Sequence, residues 1–153
     1  MGLNPSRNDP RTTINESRFL TPITSHESRI TALVKSHKDL DVWRAAIDMA
    51  RDIYELTKAY PKDEQYGIIS QMRRSAVSIA SNIAEGAARQ GTKEFVQFLY
   101  VAVGSANELD TQLEISKAAK LADDTRLNAV QDRLTRVTML LRGLIRALKA
   151  SSK

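Results

Sequence analysis

Between Tyr66 and Gly86 the residues Ile69, Met72, Ala76, Ile79, Ile83 and Gly86 recur at alternating steps of three and four. At 100° per residue this spacing gathers them on one side of an α-helix and predicts a stripe that faces a core. Ala80, Ala84 and Ala87 widen the stripe, while Gln71, Arg74, Ser78, Ser81, Asn82 and Glu85 fill the outer arc. Arg73 breaks the pattern. It falls among Ile69, Ala80 and Ala84, where a cation is costly unless a carboxylate or water meets it.

Three more segments carry the same period. From about Asp41 to Ala59, the residues Trp43, Ala46, Ile47, Ala50, Ile53, Tyr54 and Thr57 are expected on the inner side. Arg44, Asp48, Arg51, Glu55 and Lys58 line the outer side, with Arg44/Asp48 and Arg51/Glu55 spaced for i,i+4 pairing. Pro61 stops this helix, and Asp63 is placed to cap the next, which runs to about Arg89. Gln90-Gly91-Thr92 makes a tight connection, with Thr92 as the expected N-cap. A third stripe consists of Phe95, Leu99, Ala102, Ala106, Leu109 and Leu113, continuing to roughly Lys120. Asp123 then caps a fourth helix with the seam Leu127, Val130, Leu134, Val137, Leu141, Leu144 and Leu148.

Four such helices with short connections specify an all-α fold, an antiparallel up-down-up-down four-helix bundle with helices crossing near +20°. Residues 1–37 contain Pro5, Pro10 and Pro22 and are dominated by Ser, Thr and Asn, so they are expected to form a flexible N-terminal tail ahead of a bundle at 38–153. Val101, Gly104 and Ile115 on the third helix and Met139, Leu140 and Ile145 on the fourth lie off the central stripes. Their clustering predicts self-association.

Composition narrows the class. Of 153 residues, 42% are apolar, 27% charged and only 5% aromatic, which favours a helical globular domain. The absence of cysteine rules out disulfides and thiolate metal sites, and the cytoplasm is the expected compartment. No apolar run approaches the ~20 residues of a membrane-spanning helix, so no membrane partner is expected.

The net charge of +5 is concentrated at the C-terminal end, where Arg126, Arg133, Arg136, Arg142, Arg146, Lys149 and Lys153 face a single acid, Asp132. Arg142, Arg146 and Lys149 fall on one flank of the fourth helix and Arg126, Arg133 and Arg136 on the other. Such a surface suits RNA or DNA phosphates, and Arg133, Arg136, Arg142, Arg146 and Lys149 are the candidate nucleic-acid contacts, joined by Arg74 if it lines a shared channel. Neither flank is interleaved with aromatics, so binding is expected to be driven by charge and shape.

Nothing assembles catalytic chemistry. The histidines, His26 and His37, lie in or beside the tail, and no Glu-x-x-His pair is present to build a carboxylate-bridged metal site. Glu94, Glu108, Asp110 and Glu114 read as a solvated or ion-paired face, and Gly86-x-x-x-x-Gly91 lacks the Lys and Ser/Thr of a phosphate loop. No catalytic residue, metal or cofactor is expected. Arg73 is assigned a structural salt bridge, with Asp110 or another acid of a neighbouring helix as partner.

From Leu40 to about Lys120 the chain resembles the four-helix-bundle proteins encoded in intervening sequences of 23S ribosomal RNA genes. The resemblance is carried by Leu40-x-Val42-Trp43, Tyr66-Gly67-x-x-x-Gln71-x-Arg73-Arg74, Val77-Ser78-Ile79, Asn82-Ile83-Ala84-Glu85-Gly86 and Lys93-Glu94-Phe95-x-x-Phe98-Leu99. Gly104-Ser105-x-x-Glu108-Leu109-x-Thr111 extends it, while Ala80 stands where many such proteins carry proline. The resemblance implies a homopentameric ring without known catalytic activity. It also implies kinship with the accessory variability protein of diversity-generating retroelements, which binds nucleic acid and a reverse transcriptase. The alternative function is an oligomeric protein-binding scaffold or accessory subunit.

Overall fold

A computed structural model describes residues 35–152. Most of the expected tail therefore lies outside the described residues. Its last two positions, Ser36 and His37, belong to a short leading turn: a 3-10 turn at His37–Asp39, closed by a capping box in which Ser36 and Asp39 bond each other's backbone. The His37 ring meets Trp43 edge-on with centroids 5.0 Å apart, tying this turn to the first helix.

Four α-helices follow: α1 at Asp41–Thr57, α2 at Ile68–Ala87, α3 at Thr92–Ala118 and α4 at Asp124–Ser151. Consecutive helices pack together and α1 closes against α4, so that α1/α3 and α2/α4 form the diagonals of a four-helix bundle. No β-strand occurs among the described residues. The core is built from the predicted stripes of α2, α3 and α4. Met72, Ile79, Ile83, Leu99, Leu109, Leu113, Leu127, Leu134 and Leu141 are fully buried. On α4 the last turns shift slightly, burying Ile145 and leaving Leu144 half-buried.

On α1 the burial departs from expectation. Val42, Ala46, Met49, Ile53, Leu56 and Thr57 face the core, whereas Ile47 and Tyr54 are exposed. Two apolar stripes overlap on this helix, one through Val42, Met49 and Leu56 and one through Trp43, Ile47 and Tyr54. Periodicity cannot rank them; contact with α2 and α4 does. The exposed pairs also differ from those expected. Arg44 meets Asp41 at 3.5 Å and Arg51 meets Asp48 at 3.4 Å, i,i+3 contacts in place of the i,i+4 ones.

The helix ends show which local signals hold. Asp123 caps α4 by accepting from the Arg126 backbone N–H at 3.3 Å. Asp63 does not cap α2. It lies in a 3-10 turn at Lys62–Tyr66, and Gly67 occupies the N-cap position of α2 without a side-chain bond. At the next junction the N-cap position is Gly91, and Thr92 is the first residue of α3. The C-terminus of α3 closes with Lys120 N–H bonded to Lys117 O and Leu121 N–H to Ser116 O, both 3.0 Å. This double closure puts Lys120 at φ 54°, a left-handed conformation that glycine adopts with less strain.

The tightest helix contact is between α2 and α3. A Cβ built on Gly86 would lie 2.7 Å from Phe98 Cβ and 2.8 Å from the Phe95 ring. Glycine at this point lets the backbones approach while Phe95 and Phe98 pack across the gap. At the opposite end of this helix pair, Tyr60 fills the turn after α1 and is buried close to Ser116, and its hydroxyl makes no hydrogen bond with any described residue. Burial pushes the Tyr60 phenol above the ordinary tyrosine range, only partly offset by Ser116 and by the positive charge of Arg126.

Two outcomes follow from these contacts. Gly86→Ala gains helix propensity yet forces α2 and α3 apart, and a net loss of ~1–3 kcal/mol is expected in urea unfolding. For Tyr60 the folded state favours the neutral phenol, so its contribution is complete below the normal tyrosine pKa of 10.0 and is lost as pH rises beyond it. Unfolding of Tyr60→Phe, which also removes an unsatisfied hydroxyl, is expected to be less sensitive to pH above 10 than that of the parent chain. Identical alkaline slopes for the two proteins would contradict the assignment.

Candidate nucleic-acid interface

The basic residues of α4 diverge because the helix turns its two flanks towards different neighbours. On the α1 side, Arg133 Nε binds Asp52 Oδ2 at 2.8 Å, and Arg126 donates to the Glu55 backbone carbonyl at 3.2 Å. Arg136 stands one turn further along, in a groove of about 530 Å³ whose charged lining is Asp41, Arg44, Asp48, Arg133 and Arg136 over Ala45 and Leu140. Arg44 is committed in part, since its Nε donates to the Lys38 carbonyl at 2.8 Å. Arg136 makes no ion pair or hydrogen bond with any described residue.

On the α3 side, Arg142 borders a groove shared with Asn107, Asp110, Thr138 and Met139. Arg146 is exposed, and both it and Arg142 lack a partner among the described residues. Lys149 approaches Tyr100, with Nζ 3.5 Å from the hydroxyl and 5.9 Å from the ring centroid. Tyr100 of α3, the one candidate for stacking that the sequence offers near this helix, thus stands beside the basic flank. The uncommitted cations of this surface are therefore Arg136, Arg142 and Arg146, while Arg133 is half-exposed and bound to a carboxylate.

Arg74 is exposed on α2, diagonal to α4 across the bundle. Within one subunit it shares no face with the α4 cations. Its neighbour Arg73 is half-buried but does not form the expected bridge to Asp110. Arg73 Nε donates to Thr57 Oγ1 at 3.0 Å, and its guanidinium carbon sits 4.7 Å over the Tyr54 ring. Thr57 in turn donates to Ile53 O at 2.7 Å. Asp110 accepts from Gln131 of α4 instead. The two side chains cannot meet, because Arg73 projects from the α1 side of α2 whereas Asp110 projects from the α4 side of α3. A neutral hydroxyl and an aromatic face satisfy the cation where a carboxylate was expected.

Among the described residues no group of three or more His, Cys, Asp or Glu side chains converges as a metal site. No helix among them is long and apolar enough to cross a membrane. Architecture and charge together define a class: an antiparallel four-helix bundle with a basic last helix and unpartnered guanidiniums on both of its flanks. The chain belongs to the 23S rRNA-intervening sequence protein family, whose model matches residues 38–143.

A solved structure with the same fold is a crystal structure at 1.70 Å of a protein with unknown function from the S23 ribosomal protein family of Bacteroides thetaiotaomicron. It is 25% identical, superimposes with a TM-score of 0.66, and the alignment covers 71% of this chain and 98% of that one. No curated protein matches the sequence.

The partnering of Arg73 can be checked by double-mutant cycles on urea stability. Arg73→Ala with Thr57→Val is expected to show a coupling of ~0.5–1.5 kcal/mol, and Arg73→Ala with Asp110→Ala a coupling near zero.

Proposed function

We propose that the protein is a non-catalytic, homo-oligomeric RNA-binding bundle of the cytoplasm that holds RNA phosphates through α4. The observation that carries this reading is that Arg136, Arg142 and Arg146 stand without a partner among the described residues, on a helix with so few acids. Cations in that state keep their full charge for a polyanion, because no protein carboxylate must be displaced. Lys149 extends the same surface, and Arg133 joins it when phosphate competes with Asp52. The grooves beside α4 are lined by arginines together with a few carboxylates and aliphatic side chains and by no aromatic ring, which fits contact with the phosphate backbone rather than stacking on bases.

Self-association is supported by apolar side chains left outside the core. Met139 is 68% exposed, Val101 53% and Ile115 50%, and Gly104 on the outer side of α3 has open space around it. The family resemblance points to a pentamer. A ring would repeat the α4 surface, so weak phosphate contacts on single subunits would add through multivalency.

Fluorescence anisotropy with a labelled RNA duplex tests the reading. With about four phosphate contacts per subunit, affinity is expected to fall roughly hundredfold between 50 and 200 mM salt. The triple variant Arg136→Gln/Arg142→Gln/Arg146→Gln is expected to bind at least ~10-fold more weakly and to flatten the salt slope by about one for each phosphate that no longer meets a cation. Binding that ignores salt, or none at micromolar protein, would sink the proposal. Light scattering on the same samples is expected to give a mass several times that of one chain, reduced in Val101→Glu/Ile115→Glu.

A further inference from the structure

A further groove, of about 600 Å³, lies away from α4, where the end of α1 meets the start of α2. Its distinctive side chains are Tyr54, Tyr66, Arg73 and Arg74, with Ser70 and Ser78 between them. We propose that this groove binds an unpaired nucleotide of single-stranded RNA, the base stacking on Tyr66 and the flanking phosphates meeting Arg73 and Arg74. The inference rests on the RNA-binding reading but concerns a separate surface.

Tyr66 comes from the 3-10 turn that leads into α2 and is 96% exposed, so its ring offers both faces to solvent. Ser70, Arg74 and Ser78 follow one another at four-residue steps along α2, and Tyr66 stands in the turn just ahead of that row, lining the same groove. An exposed aromatic ring flanked by guanidinium groups is the pairing that holds single strands, since a ring stacks any base and a cation holds the next phosphate.

The charge of the groove is uncompensated. No Asp or Glu lines it, in contrast to the α1/α4 groove with Asp41 and Asp48. Arg73 is held by Thr57 and the Tyr54 ring, both neutral, so it is oriented without being neutralised. Only Nε of its guanidinium is engaged, leaving both terminal nitrogens as donors. Arg74 has no partner among the described residues. The floor is set by Ser78, whose hydroxyl is 2.8 Å from that of Ser105 and which accepts from Asn82, so α2 and α3 hold it in place. One preoriented cation, one free cation and one free ring thus surround a polar floor, an arrangement suited to a nucleotide. An acidic peptide would use the cations but leave Tyr66 without a role.

The test uses the full chain and two fluorescein-labelled probes of equal phosphate number, an unstructured oligoribonucleotide and an RNA duplex. Tyr66→Leu is expected to weaken single-strand binding about tenfold and leave duplex binding within about twofold, while Tyr66→Phe retains single-strand affinity. Arg74→Gln is expected to weaken the single strand by several-fold, and the triple α4 variant to weaken the duplex most. Because Tyr66 and Arg74 are exposed, circular dichroism and thermal unfolding of these variants are expected to match the parent. Unchanged single-strand affinity in Tyr66→Leu overturns the nucleotide site, as does an equal loss on both probes or equal displacement by a polyglutamate peptide of matched charge. If the duplex binds through α4 while the single strand ignores Tyr66, the α4 reading stands and this one falls. Single-strand binding that needs Tyr66, with duplex binding indifferent to the α4 arginines, upholds the nucleotide site and overturns the α4 reading.

Discussion

The close approach of α2 and α3 at Gly86 constrains the rest of the bundle. Phe98 Cβ and the Phe95 ring occupy the space that any Cβ at position 86 would need. Two helices that meet this closely must keep one crossing geometry, because interior packing leaves little room to slide. Ala76 and Ala80 continue the small-residue side of α2, while the buried leucines of α3 and α4 fill the centre. With α2 held against α3, its Arg73 edge is turned towards α1, where Thr57 and Tyr54 receive it.

That orientation separates the positive charge into two unlike surfaces. On α4 the guanidiniums stand over grooves with some acidic lining, and part of the charge is already used by Asp52. Around α2 the cations are fewer but no carboxylate lines their groove, and tyrosines stand beside them. The first surface resembles a charged rail for a phosphate backbone, and the second a pocket for one unstacked base. Arg73 and Arg74, adjacent in sequence, serve differently because successive residues on a helix point about 100° apart. One is anchored through a hydroxyl and a ring; the other projects freely.

Much of the fold was legible from spacing. The stripes of α2, α3 and α4 were readable because their isoleucine, leucine and alanine positions keep the helical period over most of each helix, even though Val101, Ile115 and Met139 lie outside them. The Asp123 cap was readable for the same local reason: its carboxylate needs only a backbone N–H three residues away. On α1 the pattern was ambiguous, since Met49 and Leu56 compete with Ile47 and Tyr54 for the inner side. Asp63 and Thr92 failed as N-caps because chain direction at a junction depends on the helices it joins, not on the polar residue alone.

By itself, the sequence determined four amphipathic helices, their order, the basic bias of the last one and the motifs that mark the family. Those properties arise from local period and charge count, which the chain carries wherever it folds. Tertiary structure alone decided which stripe of α1 is buried, that Arg73 is met by Thr57 and Tyr54 while Asp110 pairs with Gln131, and that Tyr66 stands beside Arg74 in an acid-free groove. The reason is physical: a helix period gives the direction of a side chain, but its partner depends on the rotation and approach of a different helix. In this bundle those are set by packing around Gly86 and the buried leucines.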